Sequence, residues 1–121
     1  MIDDEAGVRG ALKRICRGHE VVEADSGARA RELLSEDRRF DVILCDMMMP
    51  QVSGMDLHRW LAGVDPAAAR RIVFVTGGAF TPAAREYLAE VENLRVEKPF
   101  DATNLRKQIS DWVGAAQAGR R

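Results

Sequence analysis

Two kinds of apolar pattern alternate along the chain. Val42-Ile43-Leu44-Cys45 and Ile72-Val73-Phe74-Val75 are short, continuous apolar runs rich in branched residues. Such runs suit strands covered on both faces, as in a parallel sheet. Residues 20–24 (EVVEA) and 94–97 (LRVE) are further strand candidates with partial alternation. The second reads as an edge strand, with Arg95 and Glu97 toward water.

Helical periods lie between these runs. Val8, Leu12 and Ile15 share one face, and Ala30, Leu33 and Leu34 share another behind an Asp25-Ser26 cap. Met55, Leu57, Trp60 and Leu61 follow Gly54. Thr81-Pro82 reads as N-cap and first helical residue before Ala84, Tyr87, Leu88 and Val91. Leu105, Ile109 and Trp112 mark a last helix. Helices and strands alternating in this way predict an α/β domain, a doubly wound parallel sheet with helices on both faces. Residues 1–115 read as one domain, and the small, polar residues 116–121 as a flexible tail.

Composition narrows the function. The chain has 121 residues, 46% hydrophobic and 31% charged, which suits one globular domain with its own core. Eighteen basic residues against nineteen acidic ones give a net charge of -1, so nothing favours direct nucleic-acid binding. No apolar stretch is long enough for a membrane span and no signal peptide opens the chain, which predicts a cytoplasmic protein without membrane contact. Cys16 and Cys45 have no partnered spacing, which argues against a disulfide framework or structural zinc.

In a sheet of this class, chemistry sits beyond the carboxyl ends of the strands. Four polar features fall there: Asp3-Asp4 before the first helix, Asp46 after ILC, Thr76 after IVFV and Lys98-Pro99 after the last strand. Clustered carboxylates repel one another, and a hard divalent cation such as magnesium relieves that repulsion through oxygen ligands. Lys98 adds a cationic donor and Thr76 a neutral one. Mg²⁺, an ammonium and a hydroxyl around one carboxylate suit phosphoryl transfer to an aspartate nucleophile. Asp46, single and at the end of a central run, is the natural acceptor. Each feature alone has a blander reading, as a helix cap, a turn residue or a strand end; their recurrence at successive strand ends outweighs it.

These residues resemble the receiver domain of two-component response regulators, possibly one from a hybrid sensor histidine kinase. The resemblance rests on Asp3-Asp4-Glu5, Asp46-Met47-Met48-Met49-Pro50 with Gly54, Val75-Thr76-Gly77, and Glu97-Lys98-Pro99-Phe100. The hybrid-kinase likeness rests on residues 74–80 (FVTGGAF) with Thr81-Pro82. The resemblance implies a five-stranded sheet in flavodoxin-like order 2-1-3-4-5. It implies Asp46 as phosphoacceptor, and Thr76 and Lys98 as contacts to the phosphoryl oxygens. It also implies Asp3, Asp4, Asp46 and the Met48 carbonyl as Mg²⁺ ligands, and a cis Lys98-Pro99 bond. A histidine kinase or phosphotransfer protein would be the donor partner, and an effector protein or a second copy the recipient of the signal. Such a domain catalyses its own phosphorylation and dephosphorylation without being a conventional turnover enzyme.

Two departures stand out. Only Met1 and Ile2 precede the acidic pair, where the family places a central strand. The first strand is therefore expected to be truncated, with its neighbours poorly bridged or the gap filled by another element or a strand borrowed from a second copy. Arg95 also stands three residues before the lysine, where the family usually carries a buried aromatic switch residue. Coupling from Thr76 to the surface is therefore expected to take another route. Phosphorylation is expected to draw Thr76 inward and shift the Gly77-Gly78 loop. The expected signalling surface is the face of the fourth helix, last strand and last helix, with Arg95 in it.

His19 and His58 are expected on the surface. Cys45 reads as a small core residue, Met47 to Met49 as loop packing beside the site, and Trp60 and Trp112 as core or rim. The alternative function is a phosphorylation-independent receiver-like interaction module. A flavodoxin-like cofactor binder is disfavoured, because Asp3-Asp4-Glu5 occupies the place of a phosphate-cradling loop. An aspartyl phosphatase is disfavoured because position 48 is Met rather than a second Asp.

Overall fold

The computed structural model describes residues 1–77 and 81–119. In chain order the elements are α1 (Ala6–Ile15), α2 (Gly27–Glu36), β1 (Ile43–Asp46), α3 (Gly54–Val64), α4 (Pro66–Ala69), β2 (Ile72–Thr76), α5 (Pro82–Glu90), β3 (Arg95–Glu97) and α6 (Ala102–Ala118). The three strands pair in parallel in the order β1-β2-β3, with Cys45 opposite Phe74 and Val75 opposite Val96.

Period-two alternation along these strands sorts the core into two halves. Ile43, Cys45, Ile72 and Phe74 face Ala30 and Leu34 of α2, Leu57 and Leu61 of α3, and Ala84 and Leu88 of α5. Leu44, Val73 and Val75 face Leu12 and Ile15 of α1 and Leu105 and Ile109 of α6. Helices therefore cover both faces, as the continuous apolar runs predict.

The amino-terminal side of the sheet departs from a five-stranded arrangement. Among the described residues there are three strands, and residues 20–24 do not form a fourth. Ile2 instead makes single parallel bridges to Ala24 and to Cys45. The cause is a short ladder. Ala24 donates to the Met1 carbonyl at 2.9 Å, and the Met1 ammonium donates to the Val22 carbonyl at 2.9 Å, where pairing stops.

Helix starts follow the expected cap chemistry. Ser26 accepts from the Arg29 amide, Thr81 from Ala84, and Asp101 from Asn104. Ser53 and Asp56 form a reciprocal capping box at α3. The short α4 is not among the helices predicted by periodicity; Asp65 accepts from the Ala68 amide and Pro66 opens the turn. Of the tail expected over 116–121, residues 116–118 belong to α6, which continues to Ala118. Ala115, Ala116 and Ala118 favour helix, and Gln117 Nε2 reaches Asp41 Oδ2 at 3.2 Å. Gly78 of the expected switch loop, and residues 79–80 of the hybrid-kinase motif, lie outside the described residues. Among the described residues, no helix is long and apolar enough to cross a membrane.

Candidate functional site

Asp46 is the last residue of β1 and is buried at 5% exposure. The chain then turns sharply. The Met47 amide still donates across to the Val75 carbonyl at 3.0 Å, while the Met48 amide folds back to Asp46 Oδ1 at 3.3 Å. The Gly54 amide closes the loop on the Met47 carbonyl at 3.1 Å. Gln51 takes a left-handed φ of 65° within this turn. Gly54 permits the closure, because a methyl group there would lie 2.6 Å from the Asp46 carbonyl oxygen.

Asp3 reaches the same rim from the other side. It follows Ile2, whose amide donates to the Leu44 carbonyl at 2.7 Å and whose carbonyl accepts from Asp46 at 2.9 Å. These two bonds set Asp3 beside Asp46. Asp3 is 1% exposed. Its Oδ1 accepts from the Glu5 amide at 2.9 Å, and its backbone carbonyl accepts from Arg9 Nη1 at 2.8 Å. Its buried Oδ2 accepts no hydrogen bond and is instead ion-paired with Lys98 Nζ at 3.3 Å.

Lys98 arrives from beyond β3. Its amide donates to the Thr76 carbonyl at 2.7 Å, and a cis bond joins it to Pro99. Gly77 leaves room for the lysine stem, since a Cβ there would lie 3.1 Å from Lys98 Cδ. The ammonium stands 3.9 Å from Asp46 Oδ2, so it bridges the two buried carboxylates.

Burial dominates the electrostatics. It raises the Asp46 carboxyl from 3.8 to about 6, with the Asp3 charge adding to the rise and Lys98 and the Met48 amide opposing it. Burial also holds the neighbouring Cys45 thiol up at about 12, as suits an inert core cysteine.

Of the residues singled out in the sequence, Asp3, Asp46 and Lys98 come together directly. Thr76 lies at the adjoining strand end, buried, with its hydroxyl donating toward the Val96 carbonyl at 3.5 Å rather than toward Asp46. Asp4 and Met48 are exposed at the rim. Asp3, Asp4 and Glu5 form the one acidic group among the described residues whose ligand atoms all lie within 4.8 Å of one another. Glu5 was not singled out as a ligand, and Asp46 is not part of that group. All these donors are oxygens, and one buried carboxylate oxygen lacks a hydrogen bond. That chemistry fits a hard divalent cation.

His58 is not on the surface, where its sequence position predicts it. It is 8% exposed and lies in the core between α3 and α5. Its Nδ1 pairs with the Tyr87 hydroxyl and its Nε2 with Asn93 Oδ1 at 3.1 Å. Asn93 Nδ2 in turn donates to the Ala69 and Ile72 carbonyls, at 2.8 Å each. Asn93 is therefore oriented with its oxygen toward the imidazole, which assigns the proton to Nε2. The partners lie 29 and 35 residues away, so no local pattern marks them. His19 is half-buried, with Nε2 3.5 Å from Ser110 Oγ.

The family model of the response regulator receiver domain matches residues 1–110. The response regulator receiver protein CpdR of Brucella abortus is 32% identical over 99 residues, covering 82% of this chain and 80% of that protein. The sensor kinase CckA of the same organism is 31% identical over 116 residues, and the chain spans 12% of its length. A crystal structure of a response regulator receiver domain protein from Clostridium thermocellum superposes with a TM-score of 0.78 at 27% identity. That match covers 97% of this chain and 94% of the other.

Proposed function

The chain belongs to the response regulator receiver domain family, and on that premise we propose that Asp46 is its phosphoacceptor. The observation that carries this is the position of Lys98, whose ammonium spans the buried carboxylates of Asp3 and Asp46. In the proposed step an Asp46 carboxylate oxygen attacks the phosphorus of a phosphohistidine on a partner kinase or phosphotransfer protein. The new P–O bond forms as the P–N bond breaks, and the imidazole leaves neutral, carrying the proton already on its other ring nitrogen. The domain itself supplies the catalysis of this transfer and of later hydrolysis, without being a conventional turnover enzyme.

Lys98 and Thr76 bind the phosphoryl oxygens. For Thr76 this requires the hydroxyl to leave the Val96 carbonyl, which couples the reaction to β3. Asp3, Asp4, Asp46 and the Met48 carbonyl would hold Mg²⁺, with Glu5 alongside. When bound, the ion neutralises charge that builds on the transferring phosphoryl group. The sheet reads as order 2-1-3-4-5, with Ile2 holding the place of the first strand and Ala24 that of the second. Residues 1–115 with the rest of α6 act as one unit in the cytoplasm. An effector protein or a second copy reads the output. No observation favours a phosphorylation-independent interaction module.

The test is incubation with acetyl phosphate and Mg²⁺, followed by intact-mass measurement. One added phosphoryl group is expected, lost in Asp46→Asn. An adduct that survives this substitution would reassign the acceptor.

A further inference from the structure

The loop from Asp46 to Gly54 is fixed by its own strand and helix at both ends, through the Met48 amide on Asp46 Oδ1 and the Gly54 amide on the Met47 carbonyl. Neither bond fixes the middle of the loop, where Gln51 turns through positive φ. The middle meets a separate element. Gly27, the first residue of α2, is buried against Val52. A methyl group on Gly27 would lie 2.5 Å from the Val52 carbonyl oxygen and 2.7 Å from both its Cβ and Cγ1. Contacts that short do not occur, and one of the atoms is backbone, so the loop or the helix would have to shift.

We propose that Gly27 is a positioning residue for the phosphoacceptor loop. Lacking a side chain, it lets the start of α2 press on the Val52 backbone, and this external stop sets how far the loop stands from Asp46. The inference rests on Asp46 being the acceptor. The geometry separates it from a merely structural role. Gly27 is at the first helical position, where Ser26 already caps the helix by accepting from Arg29. The helix itself would gain from alanine there. Only the loop would lose. The loop holds the Met48 backbone that touches Asp46, so a displaced loop misplaces the group oriented toward the reacting carboxylate.

The experiment compares wild type, Gly27→Ala and Leu34→Ala by beryllofluoride affinity and by the rate of phosphorylation with acetyl phosphate. Leu34 is buried in α2 at 3% exposure and packs in the core, so its truncation weakens the helix packing without a clash at the loop. Gly27→Ala is expected to lower both readouts about tenfold. Leu34→Ala should lose at least as much thermal stability yet stay within about twofold of wild type. Equal losses of rate in the two variants at equal losses of stability would overturn the proposal, as would an unchanged rate in Gly27→Ala. Wild-type protein that takes neither beryllofluoride nor acetyl phosphate would instead count against Asp46 as acceptor. A second measurement serves if Gly27→Ala does not fold. In wild type, beryllofluoride should shift the backbone amide resonances of Gly27, Met48 and Val52 together. A shifted Met48 with an unmoved Gly27 would overturn the positioning role.

Discussion

Lys98 is held closer to Asp3 than to Asp46, at 3.3 Å against 3.9 Å. Asp3 is the more deeply buried carboxylate, and its Oδ2 has no hydrogen bond to share the charge. The lysine therefore has a resting task, neutralising Asp3, before any phosphoryl group arrives. Lys98→Ala should cost about 1–3 kcal/mol of stability in metal-free buffer. Added Mg²⁺ should restore much of that loss but not the phosphorylation rate. Melting curves with and without Mg²⁺, beside acetyl phosphate kinetics, check both halves. A stability loss that Mg²⁺ leaves untouched would contradict this division of labour.

Asp46→Asn should abolish phosphorylation and stabilise the metal-free fold. Asp46 ionises at about 6 when folded, against 3.8 for its ordinary value. The unfolded chain thus gives up its proton first, so stability from this group falls as pH rises through that window. The penalty is complete above about pH 6 and is on the order of 2–3 kcal/mol. The amide removes it. The variant should melt higher than wild type at pH 7.5 without metal, and the gap should narrow below pH 5. A variant no more stable than wild type at neutral pH would refute the account.

His58 should make the fold acid-sensitive. Burial holds its imidazole below the ordinary 6.5, with the Asn93 hydrogen bond only partly offsetting that. The group contributes stability fully above the unfolded pKa. That contribution is lost as pH falls through the lower folded value. Carbon or nitrogen NMR of His58 should show the Nε2–H tautomer near neutrality. Wild type should lose more stability than His58→Gln between about pH 6.5 and 5. Parallel pH curves for the two proteins would exclude the effect.

Arg95→Ala should leave phosphorylation at Asp46 intact. The side chain is exposed, and its Nη2 donates to the Leu88 carbonyl at 2.7 Å, near the carboxyl end of α5. Loss of that bond should cost no more than about 1 kcal/mol. The change should appear in partner binding or self-association, which analytical ultracentrifugation with and without beryllofluoride would measure. A large drop in phosphorylation rate with unchanged association would reverse the assignment.

The site was legible because strand ends are legible. Asp46, Thr76 and Lys98 each close an apolar or edge run, and parallel topology brings such ends together. The spatial detail was not. The ion pair that favours Asp3 depends on depth, which residue type does not report. His58 reads as a surface histidine from its own helix, and only Tyr87 and Asn93, brought close by folding, make it a core residue. Residues 20–24 have adequate strand composition, yet a strand is defined by its ladder, and the ladder here amounts to bonds of Met1 and Asp3 with Val22 and Ala24 and the single bridge of Ile2 to Ala24. The start of α4 was readable in principle, because Asp65-Pro66 is a cap followed by a first-turn proline.

The two bridges of Ile2 have a consequence for how amide protons exchange with water. The amides of Ile2, Asp3, Ala24 and Asp46 are each protected by bonds at a one-residue bridge. Brief local opening there exposes them without unfolding β2, which lies between β1 and β3 and whose Phe74 and Val75 pair on both sides. They should exchange far faster than the Phe74 amide, which bonds to Leu94 in the middle of the sheet. Asp3 and Asp46 lie on either side of that loose seam, so an ion or phosphoryl group gripped by both would tie it shut. Exchange at these four amides, followed by mass spectrometry or NMR, should slow on ligation while the core amides keep their rates.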